Sequence, residues 1–171
     1  KNAQYGKNNL LDGSGSGNGV TTGKNLTFVG AGTTGVSSGL HGYDIEITQA
    51  ATRTTHTGIV ALTQAMIDAE EQITITESGR SVDFKTKAGT TIEQTLNELD
   101  KAIKTAGLDV ELVRDVSSKA VRNSPQQLTL RHTRYGSEYF FQVSSNTAGL
   151  LSAVADVSER VQNGVDIAGE I

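Results

Sequence analysis

Residues 72–107 decide the fold, and they read QITITESGRSVDFKTKAGTTIEQTLNELDKAIKTAG. In the first half of this stretch, apolar residues alternate with polar ones on both sides of a turn at 77–80. Such alternation is typical of strands that bury one face, and the glycine in the turn predicts an antiparallel hairpin. The apolar members of the pattern are Ile73, Ile75, Val82 and Phe84.

The second half of the stretch predicts an amphipathic helix. Thr90 stands three residues before Glu93, which is the spacing of a capping box at a helix N-terminus. Gly107 lies where a left-handed C-cap is expected. An apolar stripe runs between these two signals, and we expect it to cover one face of a sheet over residues 91–106. The stripe consists of Ile92, Leu96, Leu99 and Ile103.

Further elements are predicted on both sides of this core. Residues 43–48 alternate between apolar and polar side chains, which predicts a half-buried strand, whereas residues 50–58 are polar and rich in threonine. Residues 59–69 partly fit the face of a helix but begin with β-branched residues, and residues 148–161 suggest a second helix. The remaining predicted strands are 108–113, 128–130 and 139–143.

These elements define the expected fold class and domain organisation. We expect an α+β fold, a mostly antiparallel sheet with one main helix packed on one face, preceded by a glycine-rich extended arm. Residues 1–42 hold more than half of the 19 glycines and form the arm, with a flexible connector at 13–19. Residues 43–147 form the α+β domain, and residues 148–171 form a C-terminal segment.

Composition excludes several classes of protein. The 171 residues include no cysteine, which excludes a disulfide scaffold, a cysteine-ligated zinc site and a thiol nucleophile. The net charge of −4 argues against nucleic-acid binding, and no apolar run approaches the roughly 20 residues of a membrane helix. With 21 threonines and 14 serines, the chain has the composition of a hydrated, strand-rich surface. It begins at Lys1 without methionine, which predicts a piece excised from a longer protein.

The sequence contains only partial matches to the motifs of enzyme active sites. Residues 30–35, GAGTTG, fit the letters of a dinucleotide-binding loop, but no helical pattern and no correctly spaced acidic residue follow, so a turn-rich loop is favoured. His41, His56 and His132 are isolated and lack the spacing of a zinc hydrolase. We interpret His132, in a strand beside Arg131 and Arg134, as part of a solvated face and not as a catalytic base. A serine–histidine–aspartate group would meet only in the fold, although the chain lacks a Gly-x-Ser-x-Gly elbow. We therefore expect no enzyme activity and no cofactor.

Two charged clusters complete the candidate sites. Asp68, Glu70 and Glu71 lack the regular order of a calcium loop, so we interpret them as a solvated acidic cap. Arginines and aromatic residues concentrate in the second half, where ordinary packing is favoured over a nucleic-acid platform. These residues are Arg114, Arg122, Arg131, Arg134, Tyr135, Tyr139, Phe140 and Phe141.

Three stretches resemble bacterial flagellins. Residues 2–13, NAQYGKNNLLDG, resemble the segment where the flagellin chain leaves its N-terminal rod helix, with the signature Leu10, Leu11, Asp12 and Gly13. Residues 42–52, GYDIEITQAAT, are similar to a short motif of flagellins and filament-cap proteins. That motif is carried by Tyr43, Thr48, Gln49, Ala51 and Thr52. Residues 164–169, GVDIAG, resemble a third flagellin pattern, but Glu170 stands where that pattern has threonine.

The resemblance implies a structural role in an extracellular filament. The chain would be the solvent-exposed outer domain of a flagellin, located in the bacterial flagellum and serving motility. The arm would lead out of the filament core, and residues 148–171 would return to it, so both chain ends must lie on the same side. Polymerisation would reside in terminal helices that this chain does not include, so the fragment would be monomeric. No nucleic acid, membrane or cofactor is implied, and the serine and threonine surface could accept O-linked glycans.

Three alternatives stand beside this interpretation. A filament-cap or hook-associated protein shares the motif of residues 42–52, although the Leu-Leu-Asp-Gly signature favours flagellin. A surface adhesin module would bind glycan or host protein, with Tyr135, Tyr139 and the nearby arginines as the candidate face. An inserted enzyme would need a metal or nucleophile signature that the sequence does not display.

Overall fold

The computed structural model describes residues 4–5, 8–9, 20–24, 27–28, 42, 44–114 and 124–170. The chain divides into two compact units, Lys1–Asp44 with Ile171, and Ile45–Glu170. In the first unit, β1 (Gln4–Tyr5) pairs antiparallel with β2 (Asn8–Asn9). The remaining described elements belong to the second unit.

The second unit is a succession of strands interrupted by two helices. They follow in the order β3 (Glu46–Gln49), β4 (Arg53–Leu62), α1 (Gln64–Asp68), β5 (Gln72–Glu77), β6 (Arg80–Lys85), α2 (Ile92–Thr105), β7 (Val110–Val113), β8 (Gln126–Tyr135), β9 (Phe141–Ser145), β10 (Glu159–Val161) and β11 (Ala168–Glu170).

The strands of the second unit form three antiparallel sheets. The larger ones have the orders β10–β9–β5–β6 and β4–β8–β7, and β11 pairs with β3 in a two-stranded sheet. The predicted fold class, α+β with mostly antiparallel strands and one main helix, is therefore confirmed. The strands are nevertheless distributed over separate sheets, where the sequence pattern suggested one sheet beneath the helix.

The predicted hairpin and helix form the centre of the fold. Strands β5 and β6 pair in the expected register around a turn in which Ser78 and Gly79 both have positive φ, as a tight hairpin turn requires. Helix α2 contacts β6 of one sheet and β7 of the other, so its buried stripe closes a single core between them. The stripe residues Ile92, Leu96, Leu99 and Ile103 are at most 3% exposed.

The ends of α2 agree closely with the sequence pattern. The capping box is formed by Thr91 and Gln94, one residue later than predicted from Thr90 and Glu93. Gly107 has φ of 67°, which confirms the left-handed C-cap. The shift arises because Thr90 instead donates its hydroxyl to the carbonyl of Lys87, in the turn before the helix.

The interpretation of residues 50–69 changes in the structure. The threonine-rich stretch forms much of β4, a ten-residue strand, because residues 53–57 pair with β8, ahead of a register shift between Thr57 and Ala61. Gly58 lies in the middle of this strand, where a Cβ atom would lie 1.8 Å from the carbonyl oxygen of Leu150. The ambiguous stretch 59–69 begins as strand and becomes helical only after Thr63, whose side chain caps α1.

The predicted second helix over residues 148–161 is wrong. These residues form turns, bends and the strand β10. Leu150 and Leu151 are buried, but Val154 and Val157 are more than half exposed, so the apolar spacing does not form one helical face. Gly149 has φ of 83° and its carbonyl accepts hydrogen bonds from the main chain of Ile59 and Val60, which fixes a turn here.

Strand β3 forms close to where it was predicted, but its burial was predicted wrongly. Ile45 and Ile47 are each 45% exposed, and all four residues of β3 are exposed. The reason is that β3 pairs with β11 in a two-stranded sheet whose strands are both exposed throughout. Residues 148–170 belong to the same compact unit as residues 45–147.

Candidate functional site

The beginning and the end of the second unit lie side by side. Strand β3 pairs antiparallel with β11, and we call this pair the base ribbon. Its register joins Gln49 to Ala168, Ile47 to Gly169 and Glu46 to Glu170. A Cβ atom on Gly169 would lie 2.5 Å from the carbonyl oxygen of Glu46, so the close approach of the two strands requires glycine.

Hydrogen bonds between Thr52 and Val165 extend the base ribbon into the body of the unit. The amide of Thr52 donates to the carbonyl of Val165 at 2.9 Å, and the amide of Val165 donates to the Thr52 hydroxyl at 3.1 Å. The carbonyl of Thr52 accepts from the amide of Gly136 at 3.0 Å. Thr52 therefore joins three segments that are distant in the sequence.

Asn163 makes a second connection, because its side-chain amide pairs with the main chain of β4 as a neighbouring strand would. Its side-chain oxygen accepts from the amide of Thr55 at 2.8 Å, and its side-chain nitrogen donates to the carbonyl of Thr55 at 2.7 Å. The next amide, that of Gly164, donates to the buried hydroxyl of Thr54 at 3.1 Å. Gly164 is itself required, because a Cβ atom would lie 2.4 Å from the carbonyl oxygen of Gly136.

Asp166 makes the third connection. Its carboxylate accepts from the amide of Ser137 at 2.7 Å and from the Ser137 hydroxyl at 2.5 Å. These two hydrogen bonds, first that of the hydroxyl and then that of the amide, hold the pKa of Asp166 below its usual range. The carbonyl of Asp166 accepts from the side chain of Gln49 at 2.8 Å. We call residues 162–166, with their partners in 49–55 and 136–137, the base clamp.

The base ribbon and base clamp unite two of the stretches that the sequence singled out. Thr48 and Gln49 lie in β3, whereas Ala51 and Thr52 lead into β4. Gln49 and Thr52 bind residues 165 and 166, so the stretches 42–52 and 164–169 meet across more than 110 intervening residues. Tyr43 and the signature Leu10, Leu11, Asp12 and Gly13 lie outside the described residues, as does the glycine-rich stretch 30–35. The positions of the stretches 42–52 and 164–169 along the sequence did not predict that they would pair.

His132 is buried in a polar cluster that joins the two larger sheets. Its ring is 1% exposed and stacks on Tyr139 at 5.1 Å, and its Nδ1 accepts from the amide of Arg134 at 3.0 Å. Its Nε2 lies 3.8 Å from a carboxylate oxygen of Glu77, which belongs to the four-stranded sheet. This cluster joins β8 to β5, so the interpretation of His132 as part of a solvated face is wrong.

Glu77 is the charged centre of that cluster. Burial by itself raises the pKa of Glu77, but hydrogen bonds from Ser78, the amide of Asp109 and Arg80 together bring it below its usual range. The guanidinium of Arg80 lies 2.7 Å from the carboxylate. The arrangement satisfies a buried negative charge between the two larger sheets.

The other histidine in the described residues is also structural. His56 lies with Nε2 2.5 Å from the carbonyl of Leu151. It lines a cleft of about 50 Å³ with Ile59, Gly149 and Glu159, whereas small-molecule sites usually enclose a few hundred Å³. His41 lies outside the described residues.

The acidic residues predicted as one solvated cap are separate in the structure. Glu71 is 4% exposed and accepts from the amide and hydroxyl of Thr147, so it is a buried cap of a turn. Asp68 accepts from the amide of Gly89, and Glu70 pairs with Lys85 at the surface. Across the described part of the chain, no three histidine, aspartate or glutamate side chains are grouped as a metal site would require.

The arginines and aromatic residues divide between different environments. Tyr135 is 56% exposed beneath the guanidinium of Arg53, whereas Tyr139 is half-buried between His132 and Arg134. The candidate face of Tyr135 and Tyr139 is therefore not a single exposed platform. Arg160 stacks on Phe140, Phe141 lies in the core, and Arg122 lies outside the described residues.

Comparison with known proteins found no matching family model, no matching curated protein and no matching solved structure. Among the helices that the structure describes, none is long and apolar enough to cross a membrane.

Proposed function

We propose that this chain is the surface-exposed outer domain of a bacterial flagellin, and so a structural part of the flagellar filament that serves motility. The observation that carries the proposal is the base ribbon, which holds the beginning and the end of the second unit side by side. A domain inserted into a filament subunit must leave and rejoin it at one place. Paired antiparallel strands supply that geometry, with about 5 Å between opposite Cα atoms.

The base clamp supports the same proposal. A projecting domain is loaded through its two connections, and here both connections are anchored to the body of the unit by side-chain and main-chain hydrogen bonds. Two of these hydrogen bonds are made entirely by residues from the stretches that resemble flagellin. Gln49 and Thr52 belong to the stretch 42–52, and Val165 and Asp166 belong to the stretch 164–169.

The water-facing side of the β5–β6 hairpin is consistent with an outer, hydrated position. Thr74 donates its hydroxyl to Asp83 at 2.7 Å, and Thr76 and Ser81 share a hydrogen bond of 3.1 Å. In this proposal such hydroxyl-rich faces are where O-linked glycans would attach. The filament polymerises through terminal helices of the parent subunit, and the outer domain contributes no assembly contact of its own.

Immunogold electron microscopy of intact cells, with antibody raised against this chain, tests the proposal. Label along the whole length of the filament is the expected result. Label only at the filament tip would indicate a filament-cap protein instead of a flagellin. Label only at the hook junction would indicate a hook-associated protein. Label confined to the cell body would reject a flagellar role. Antibody pre-absorbed with the purified chain provides the control.

A further inference from the structure

The outer face of the β4–β8–β7 sheet carries charged, aromatic and hydroxyl side chains that are not needed to pack the core. Along β8, Leu128, Leu130 and His132 are buried, so the alternate residues project from the opposite face. The register places these residues beside alternate positions of the two neighbouring strands. The face includes Arg53, Thr57, Glu111, Thr129, Arg131 and Tyr135.

Two arginines on this face converge on one carboxylate. Arg53 Nη1 lies 3.0 Å from Glu111 Oε1, and Arg131 places Nε and Nη2 at 2.8 and 2.7 Å from the same oxygen. The three side chains are between 27% and 40% exposed, so the group is accessible to solvent. Two guanidinium groups against one carboxylate leave a local excess of positive charge on a chain whose net charge is −4.

An aromatic ring and a pair of hydroxyls lie on the same face. Tyr135 is 56% exposed, and the guanidinium of Arg53 lies 4.5 Å from the centre of its ring. Across β4 and β8, the hydroxyls of Thr57 and Thr129 hydrogen-bond to each other at 2.9 Å on an exposed surface. An exposed ring beside convergent guanidinium groups combines an apolar contact surface with charge-assisted donors.

We propose that this face binds a carboxylate-bearing saccharide of the uronic-acid type. The carboxylate of one sugar would share the guanidinium groups of Arg53 and Arg131 with Glu111. Because Tyr135 and Thr129 are six residues apart on β8, neighbouring sugars of an oligosaccharide would occupy the two sides of this carboxylate. The apolar face of one pyranose would lie on Tyr135, and the hydroxyls of the pyranose on the other side would reach Thr57 and Thr129. A flat sheet face with interspersed hydroxyls suits a sugar ring better than an acidic peptide, which commonly adds as a strand to a sheet edge or docks in a groove. The inference does not depend on the flagellar proposal.

Titration of the full chain with tetragalacturonate, followed by isothermal calorimetry at low ionic strength, tests the inference. We expect binding that weakens as salt is added, because the contacts are charged and exposed. The methyl-esterified tetramer, which keeps the sugar but removes the charge, is expected to bind at least about tenfold more weakly. Equal binding of the two tetramers, or no binding of the acid, would overturn the inference.

Charge variants locate the site. Arg131→Gln is expected to weaken binding of the acid about tenfold or more, whereas Arg160→Gln, which removes the same charge beside Phe140 on another sheet, leaves binding unchanged. Glu111→Gln removes the competing carboxylate, and we expect severalfold tighter binding. Weaker binding by Glu111→Gln, in a variant whose circular dichroism shows native folding, would reject the site.

Ring variants distinguish a sugar from an acidic peptide. Tyr135→Ala is expected to reduce binding of tetragalacturonate severalfold while leaving the weak binding of tetraglutamate unchanged, and Tyr135→Phe is expected to bind the sugar as the native chain does. Tighter binding of tetraglutamate than of the sugar would reject the saccharide in favour of an acidic peptide.

Discussion

Glu77 is a buried charged residue at which the two larger sheets meet. Its side chain is 4% exposed and holds Arg80, the amide of Asp109 and the facing ring of His132 around one carboxylate. Because the group is buried, its hydrogen-bond partners rather than solvent stabilise the charge. The sequence placed Glu77 in an ordinary hairpin turn, since none of these partners except Arg80 is near it in the chain.

Glu77→Gln keeps the size of the side chain but removes the charge, and we expect the free energy of unfolding to fall by about 1–3 kcal/mol. The loss stays below that of a fully buried pair because the Arg80 side chain is 44% exposed and can be hydrated. Urea denaturation measures it. The matched change Glu70→Gln breaks a surface pair with Lys85, and an equal loss in both variants would contradict this account.

Asp166 gives the base clamp a dependence on pH. Its pKa is lowered from the ordinary value of 3.8 by the hydrogen bonds of Ser137. A carboxyl whose pKa is lower in the folded state stabilises the fold above its unfolded pKa, and that stabilisation is lost as the pH falls through the folded pKa. Asp166→Asn should therefore lower the melting temperature at pH 7 and leave it less different from the native chain near pH 2. Glu138→Gln, in the same exposed turn, is the control, and a constant difference at all pH values would be contrary to expectation.

At the scale of single elements, the N-terminus of α2 shows how local rules position a helix. The Thr91 hydroxyl accepts from the amide of Gln94, and the Gln94 side chain accepts from the amide of Thr91. Thr91→Ala removes one of these bonds, and we expect the free energy of unfolding to fall by about 1 kcal/mol. Thr91→Ser should retain most of the stability, and Thr105→Ala at the other end of the helix should change it little. An unchanged free energy of unfolding in Thr91→Ala, measured by urea denaturation, would show that the Thr91 cap does not stabilise the helix.

The base ribbon is an element whose formation depends on one glycine. In Gly169→Ala the new methyl group would lie 2.5 Å from the carbonyl oxygen of Glu46, so we expect β3 and β11 to separate. Hydrogen exchange should then accelerate at residues 46–49 and 168–170, while the amides of α2 and β5 keep their protection. Ala168→Ser, at the neighbouring exposed position, should leave exchange unchanged. Unaltered exchange in Gly169→Ala would show that the ribbon tolerates the methyl group.

At the scale of the whole molecule, the proposed function separates folding from assembly. The second unit closes its own core between two sheets and α2, and its first and last strands pair with each other. A unit that satisfies its own ends in this way has no need of a second copy to complete it. We therefore expect sedimentation equilibrium to give a single species of 18.0 kDa over a wide concentration range. Long polymers formed by this chain alone would contradict the assignment of assembly to other parts of the parent subunit.

Local periodicity in the sequence determined the hairpin β5–β6, the helix α2 and the side of each that is buried. These features depend on residues within a few positions of one another, so composition and spacing are sufficient to predict them. The same reasoning failed for residues 148–161, because the turn at Gly149 is fixed by hydrogen bonds from β4, some ninety residues away. It also failed to predict the length of β4, whose threonine-rich half becomes a strand only by pairing with β8.

The sequence by itself thus determined the fold class, the main helix and the stretches that resemble flagellin. Only the tertiary structure decided that strands separate into distinct sheets, that Gln49 and Thr52 bind Asp166 and Val165, and that Arg53 and Arg131 share Glu111. The physical reason is that pairing between distant strands depends on loop closure and on packing of the entire core. Neither produces a periodic pattern in the local sequence. The base ribbon and the sheet face that carries Arg53, Arg131 and Glu111 can therefore be recognised only in the folded structure.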